Sequence, residues 1–133
     1  MVFLAHFLAA IETIFPGVFP ATAALLGASH LPPDRVLMAT LLNELDAIER
    51  DFVLVLDDYQ AIHGAAVHEL LAALLHHPPA PLHLAISTRS DPPLSLVSLR
   101  AQGTLTELRA RDLRFTEAET LEFLQRALGE RIE

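Results

Sequence analysis

The stretch Phe52-Val53-Leu54-Val55-Leu56-Asp57-Asp58-Tyr59 decides how this chain is read. Five apolar residues in a row are followed at once by two carboxylates. A continuous apolar run bounded by polar residues suits a strand buried on both faces, as in a parallel sheet. In open parallel sheets ligands bind outside the carboxyl ends of the strands. Asp57 and Asp58 stand at that edge.

The pattern has the shape of a Walker B element. Such a strand delivers one carboxylate to hold Mg²⁺ and a second to polarise a water, which points to nucleotide phosphate chemistry. A plain strand-end turn is the alternative, because Asp is common where a strand stops. Adjacent strand-end residues also point opposite ways, so the two carboxylates need not share a role. No G-x-x-x-x-G-K-[ST] loop, whose backbone would cradle the phosphates, is found anywhere in the sequence.

Outward from this strand the chain alternates helix and strand. Residues 2–14, 20–28 and 35–49 read as helices, stopped by Pro16-Gly17, Gly27 and the following strand; Asp34 is the expected N-cap of the third. Its apolar face is Val36, Leu37, Leu41, Leu42, Leu45 and Ile48. After Tyr59 the apolar spacing predicts a helix over 65–76, broken by Pro78 and Pro79. Leu82 to Ser87 reads as a second buried strand. Asp91-Pro92-Pro93 opens a short helix to Arg100, with Gly103 as its stop, and Leu105 to Leu108 reads as a third strand. Thr116 and Glu119 form a capping box for a last helix that carries Leu121, Phe123, Leu124 and Leu128 and ends at Gly129. Strands alternating with helices over short links predict an α/β fold with a parallel sheet.

Composition narrows the functions. The chain has 133 residues, 52% of them apolar, enough for one domain with a real core. Nine basic against seventeen acidic residues give a net charge of -8. An acidic surface repels a phosphate backbone, so direct nucleic-acid binding by this segment is not expected. There is no cysteine, which removes thiol catalysis and disulfides and fits a reducing, cytoplasmic setting. The apolar N-terminus has no basic flank and is cut by Glu12 and Pro16, so neither a signal peptide nor a membrane span is expected. His63 and His68 lie five apart rather than four, and no cluster of ligands with metal spacing appears among the histidines.

Residues 36–128 resemble the ATPase module of LuxR/MalT-type transcriptional regulators, of the STAND class of signal-transduction ATPases. The elements recur in order: the strand ending in Asp57-Asp58-Tyr59, the strand ending in Ser87-Thr88-Arg89, the turn Asp91-Pro92-Pro93-Leu94, Leu99-Arg100, and Leu113-Arg114-Phe115-Thr116 entering a helix. The resemblance implies a partial P-loop NTPase core with helices on both faces. It divides the chain into a helical segment (1–50), the Walker B and sensor strands (51–112) and the start of a helical lid (113–133). It gives Asp57 the Mg²⁺-linked role, Asp58 the water-activating role, and Thr88 and Arg89 contact with the phosphates of ATP. It also implies that the phosphate loop precedes residue 1, and that the ligand-sensing repeats and a DNA-binding helix-turn-helix follow residue 133. On the residues alone, the alternative for Arg89 is a surface arginine paired with Asp91, and Arg100 reads as a solvated helix end before a second basic group near the site.

A second reading belongs to a different class. A sheet lacking its central strand would expose edges, and such edges pair with other chains. On that reading the chain is a non-catalytic interaction segment that self-associates.

Overall fold

A computed structural model describes residues 2–30 and 32–128. It divides into two compact units, Met1–Leu96 and Val97–Glu133. The first contains helices α1 (Val2–Glu12), α2 (Pro20–Leu26) and α3 (Asp34–Asp46), strand β1 (Phe52–Leu56), a 3-10 turn at Tyr59–Ala61, helix α4 (Ala65–His76) and strand β2 (Leu82–Ile86). Helix α5 (Leu96–Gln102) begins at the division, and α6 (Glu117–Leu128) lies in the second unit.

β1 and β2 pair in parallel, from Phe52↔Leu82 to Leu56↔Ile86. Parallel neighbours need a crossover, and α4 supplies it. The ladder runs past the formal strand ends, because Ser87 N–H donates to Leu56 O and Tyr59 N–H donates to Ser87 O, each at 2.9 Å. The expected helix over 65–76 and the expected strand beginning at Leu82 are both present.

The core of this unit explains the helices. α1 buries Leu4, Phe7, Leu8 and Ile11, spaced i, i+3, i+4 and i+7, the stripe of an amphipathic helix. These join Leu41 and Leu45 of α3, Leu71 and Leu74 of α4, and Phe19, Ile48, Phe52 and Tyr59. Phe15 meets Phe52 edge-on at 5.3 Å, and the Arg50 guanidinium lies 5.2 Å from the Phe15 ring centre. Deleting a buried side chain of this kind removes contact area and leaves a cavity.

The start of α2 is held from a distance in sequence. Glu44 of α3 accepts from Ala21 N–H at 2.7 Å, Thr22 N–H at 3.1 Å and the Thr22 hydroxyl at 2.6 Å. The first N–H groups of a helix have no partner within it, and a carboxylate both accepts from them and complements the helix dipole. Thr22 itself is fully buried. Asp46, the last residue of α3, does a similar service for the approach to β2, accepting from Ala80 N–H at 2.9 Å.

Several expectations need correction. β1 is not buried on both faces, and helices do not cover both faces of the sheet among the described residues. Val53 is 59% and Val55 62% exposed, and their ladder partners His83 and Ala85 are exposed too. Successive strand side chains alternate sides, and the helical core takes only the Phe52-Leu54-Leu56 side. The apolar run could not reveal this, since valine carries no mark of which face is covered.

Leu105 to Leu108 forms no strand; it is irregular, and Leu108 is 75% exposed. The sheet of the described residues has two strands, and this segment makes no ladder with either. Asp34 is not an N-cap but the first residue of α3, after Pro33, and α3 stops at Asp46 rather than 49. α5 starts at Leu96 because tight turns after the prolines, with Leu94 N–H donating to Pro92 O and Leu96 N–H to Leu94 O, occupy the preceding residues.

The stop at Gly103 is as expected. Gly103 has φ 69, Thr104 N–H donates to Leu99 O and Gly103 N–H to Arg100 O, the paired bonds of a Schellman motif. The capping box is also present. Thr116 N–H and hydroxyl donate to Glu119 Oε2 at 2.8 and 2.9 Å, and Glu119 N–H donates back to the Thr116 hydroxyl at 3.2 Å. The expected end of α6 at Gly129 lies outside the described residues.

Glu44→Ala is expected to lower the unfolding free energy by about 2 kcal/mol, because it strands helix N–H groups and a buried threonine hydroxyl. Urea denaturation followed by circular dichroism checks this; a loss below about 0.5 kcal/mol would show that water replaces the carboxylate without cost.

Candidate functional site

The parallel register places two loops side by side at one end of the sheet. The first follows β1 and holds Asp57, Asp58 and Tyr59; the second follows β2 and holds Ser87, Thr88 and Arg89. This is the carboxyl edge at which open α/β sheets bind ligands.

Asp57 and Asp58 are both exposed but differently engaged. Asp57 Oδ1 accepts from the N–H of Asp58 at 2.9 Å. Asp58 has φ 49 and ψ 42, the left-handed region that few residues other than glycine adopt and that aspartate tolerates better than most. This residue turns the chain sharply off the strand. Asp58 Oδ1 accepts from Gln60 Nε2 at 2.7 Å, and Gln60 Oε1 accepts from Arg89 N–H at 3.1 Å. One amide therefore touches both loops.

Arg89 is exposed, and none of the ion pairs seen among the described residues involves it. The Thr88 hydroxyl donates to Ser90 O at 2.8 Å and thereby shapes the loop that carries Arg89. Arg100 is not an isolated helix end. Its Nε lies 2.5 Å from Glu107 Oε1 and its second terminal nitrogen 3.0 Å from Oε2, while Arg109 grips the same carboxylate. These arginines hold the Glu107 carboxyl at about 2, well below its ordinary 4.5.

Tyr59 turns inward from the site. Its ring is 1% exposed, and its hydroxyl lies 2.7 Å from His68 Nδ1 on α4. Burial raises the phenol pKa, and the hydroxyl and the imidazole share this hydrogen bond. This pair floors a cleft of about 310 Å³ lined also by Gln60, His63, Thr88 and Asp91. Neither Gln60 nor the Tyr59–His68 pair was assigned a role from the sequence. A lone glutamine has no motif, and His68 drew notice only as a metal ligand. Among the described residues no three His, Asp or Glu side chains are grouped to hold a metal. Among them also, no helix is long and apolar enough to cross a membrane.

The architecture is thus a small parallel α/β unit with carboxylates and an arginine at the carboxyl edge of its strands. Over 131 residues, 98% of the chain, the sequence is 30% identical to the HTH-type transcriptional regulator MalT of Cronobacter sakazakii. It is 29% identical over the same length to proteins of that name from Klebsiella pneumoniae. The chain is a MalT-like segment, as its ordered motifs imply. It spans 14% of the length of these relatives. No family model matches it.

Two outcomes follow from this geometry. Tyr59→Phe leaves His68 Nδ1 without its hydrogen-bond partner and is expected to cost about 1 kcal/mol in urea unfolding. Glu107 has a depressed folded-state pKa, so its contribution is present above the ordinary carboxylate range and is lost as pH falls from there through about 2. Carboxyl-carbon NMR should give a Glu107 midpoint near 2, rising toward 4.5 in Arg100→Ala; an unshifted midpoint in that variant would remove Arg100 as a cause.

Proposed function

We propose that this segment is part of the ATP-binding switch of a MalT-like transcriptional regulator. The observation that carries the reading is the parallel register, which sets Asp57-Asp58 and Thr88-Arg89 in neighbouring loops at one sheet edge. The donor set fits magnesium and a nucleotide phosphate. Mg²⁺ is held in nucleotide sites by one or two carboxylates together with phosphate oxygens, and Asp57 offers an exposed carboxylate. An exposed guanidinium in no ion pair seen among the described residues suits phosphate oxygens, and Arg89 offers it.

Asp57 is the residue that holds Mg²⁺ through the nucleotide. Asp58 orients and polarises a water, its carboxylate steadied by Gln60. Arg89 reads the phosphate, and Thr88 supports that loop. Bound Mg²⁺-ATP supplies a cleavable phosphoryl group, with catalysis by positioning and charge rather than covalent chemistry. Residues 113–133, which include α6, are the start of a helical lid. The segment itself, at net charge -8, does not contact DNA; that belongs to a helix-turn-helix elsewhere in the longer protein. The setting is cytoplasmic.

This segment contains no glycine-rich phosphate loop, and its carboxylates alone repel a nucleotide. The 133-residue chain by itself is therefore expected to show no ATP turnover and little or no calorimetric binding of Mg²⁺-ATP. In a longer regulator carrying the segment, Asp57→Ala should abolish the Mg²⁺ dependence of ATP affinity, and Asp58→Asn should lower hydrolysis with binding retained. Unaltered Mg²⁺-dependent affinity in Asp57→Ala would sink the assignment.

One observation favours a second property, self-association. The sheet among the described residues has two strands and an exposed face bearing Val53 and Val55. Free edges and an apolar face together are features that proteins normally cover. Sedimentation velocity of the chain should show mass rising with concentration, and Val55→Lys should return it toward monomer.

A further inference from the structure

We infer that Gln60 is a positioning residue that couples the Asp58 carboxylate to the peptide carrying Arg89. What its two ends accomplish rests on the nucleotide reading above; the clamp itself is a feature of the fold. Its amide nitrogen donates to Asp58 Oδ1 at 2.7 Å and its amide oxygen accepts from Arg89 N–H at 3.1 Å. A primary amide suits this double task because donor and acceptor share one rigid plane. Glutamate would keep the acceptor but set a like charge against Asp58, and alanine would keep neither.

The surroundings make the clamp effective. Gln60 is half-buried and follows Tyr59, whose side chain is locked in the core and whose N–H donates to Ser87 O at 2.9 Å. The base of the clamp is therefore fixed to both strands. Asp58 needs such a restraint, because a non-glycine residue at φ 49 is stable only where neighbours over-determine it. Arg89 lies beyond the ladder, which ends with the bonds of Ser87, so its N–H relies on Gln60. Beyond the Tyr59–Ser87 backbone bond, the Gln60 side chain joins the outer parts of the two loops, so a displacement of Asp58 is passed to the peptide of Arg89. The group that would polarise water and the group that would read phosphate are thus mechanically joined.

Amide hydrogen exchange by NMR on the 133-residue chain, without nucleotide, reads the clamp directly. Losing one hydrogen bond of ordinary strength corresponds to about a fivefold change in exchange. Arg89 exchange should rise about that much in Gln60→Ala and stay near the parent value in Gln60→Glu, which retains the acceptor. Asp58→Asn should shift the Arg89 amide resonance in the parent background and leave it unmoved beside Gln60→Ala. The β1 and β2 ladder amides report that each variant is folded, and Gln60→Met serves in place of an alanine variant that unfolds. Unchanged Arg89 exchange without the amide, an equal rise in the glutamate variant, or an Asp58→Asn shift that persists without Gln60 overturns the coupling. Failure of the nucleotide reading shows separately, as Mg²⁺-dependent ATP affinity that survives Asp57→Ala in the longer protein.

Discussion

The parallel ladder between β1 and β2 is the constraint on which the first unit depends. Its register, Leu56 opposite Ile86, decides which residues leave the sheet together. A shift by one residue would turn Phe52, Leu54 and Leu56 away from the helices and bring Val53 and Val55 onto them. The bonds from Ser87 to Leu56 and from Tyr59 to Ser87 carry the register into the loops. They are why Asp58 and Arg89 come within reach of one glutamine, though they lie far apart in sequence.

Charge sets the chemistry of that edge. The chain is acidic overall, and two adjacent carboxylates at a strand end are a poor welcome for a phosphate. On the proposed nucleotide reading, a divalent cation and a nearby guanidinium would reverse this locally, because both act at short range where screening is weak. The arginines are not equivalent in this respect. Arg100 and Arg109 are engaged with Glu107, whereas Arg89 stands exposed beside the carboxylates with no ion pair among the described residues. Position in the fold, not residue type, separates the exposed arginine at the strand edge from those that hold a loop.

Signals with a local physical cause were legible in the sequence. The crossover helix at 65–76, the Gly103 stop and the Thr116–Glu119 box each depend on a few neighbouring residues, and each formed as read. Features decided by distant partners were not. Nothing near Pro20 announces that Glu44 will hold the first turn of α2, and nothing in Leu105-Thr106-Glu107-Leu108 says that a strand will find no ladder. The one-sided burial of β1 belongs to the same class, since it is set by what packs on each face. At the site, the strand-end carboxylates were visible as a motif, while Gln60 and the Tyr59–His68 bond emerged only once the loops were brought together.

The left-handed backbone at Asp58 links these levels. A strand that simply continued would carry Asp57 and Asp58 to opposite sides of the sheet. The turn at φ 49 bends the chain at once, so that Tyr59 drops into the core while Asp58 stays at the rim. Burial of the Tyr59 ring and its bond to His68 anchor the inner side of this turn, and the Gln60 amide anchors the outer side. A conformation that costs about 1 kcal/mol on its own is thereby held by core packing and hydrogen bonding together. The rim carboxylate is fixed by the same residues that stabilise the fold, so the site needs no rigid loop beyond the three residues that follow Asp57.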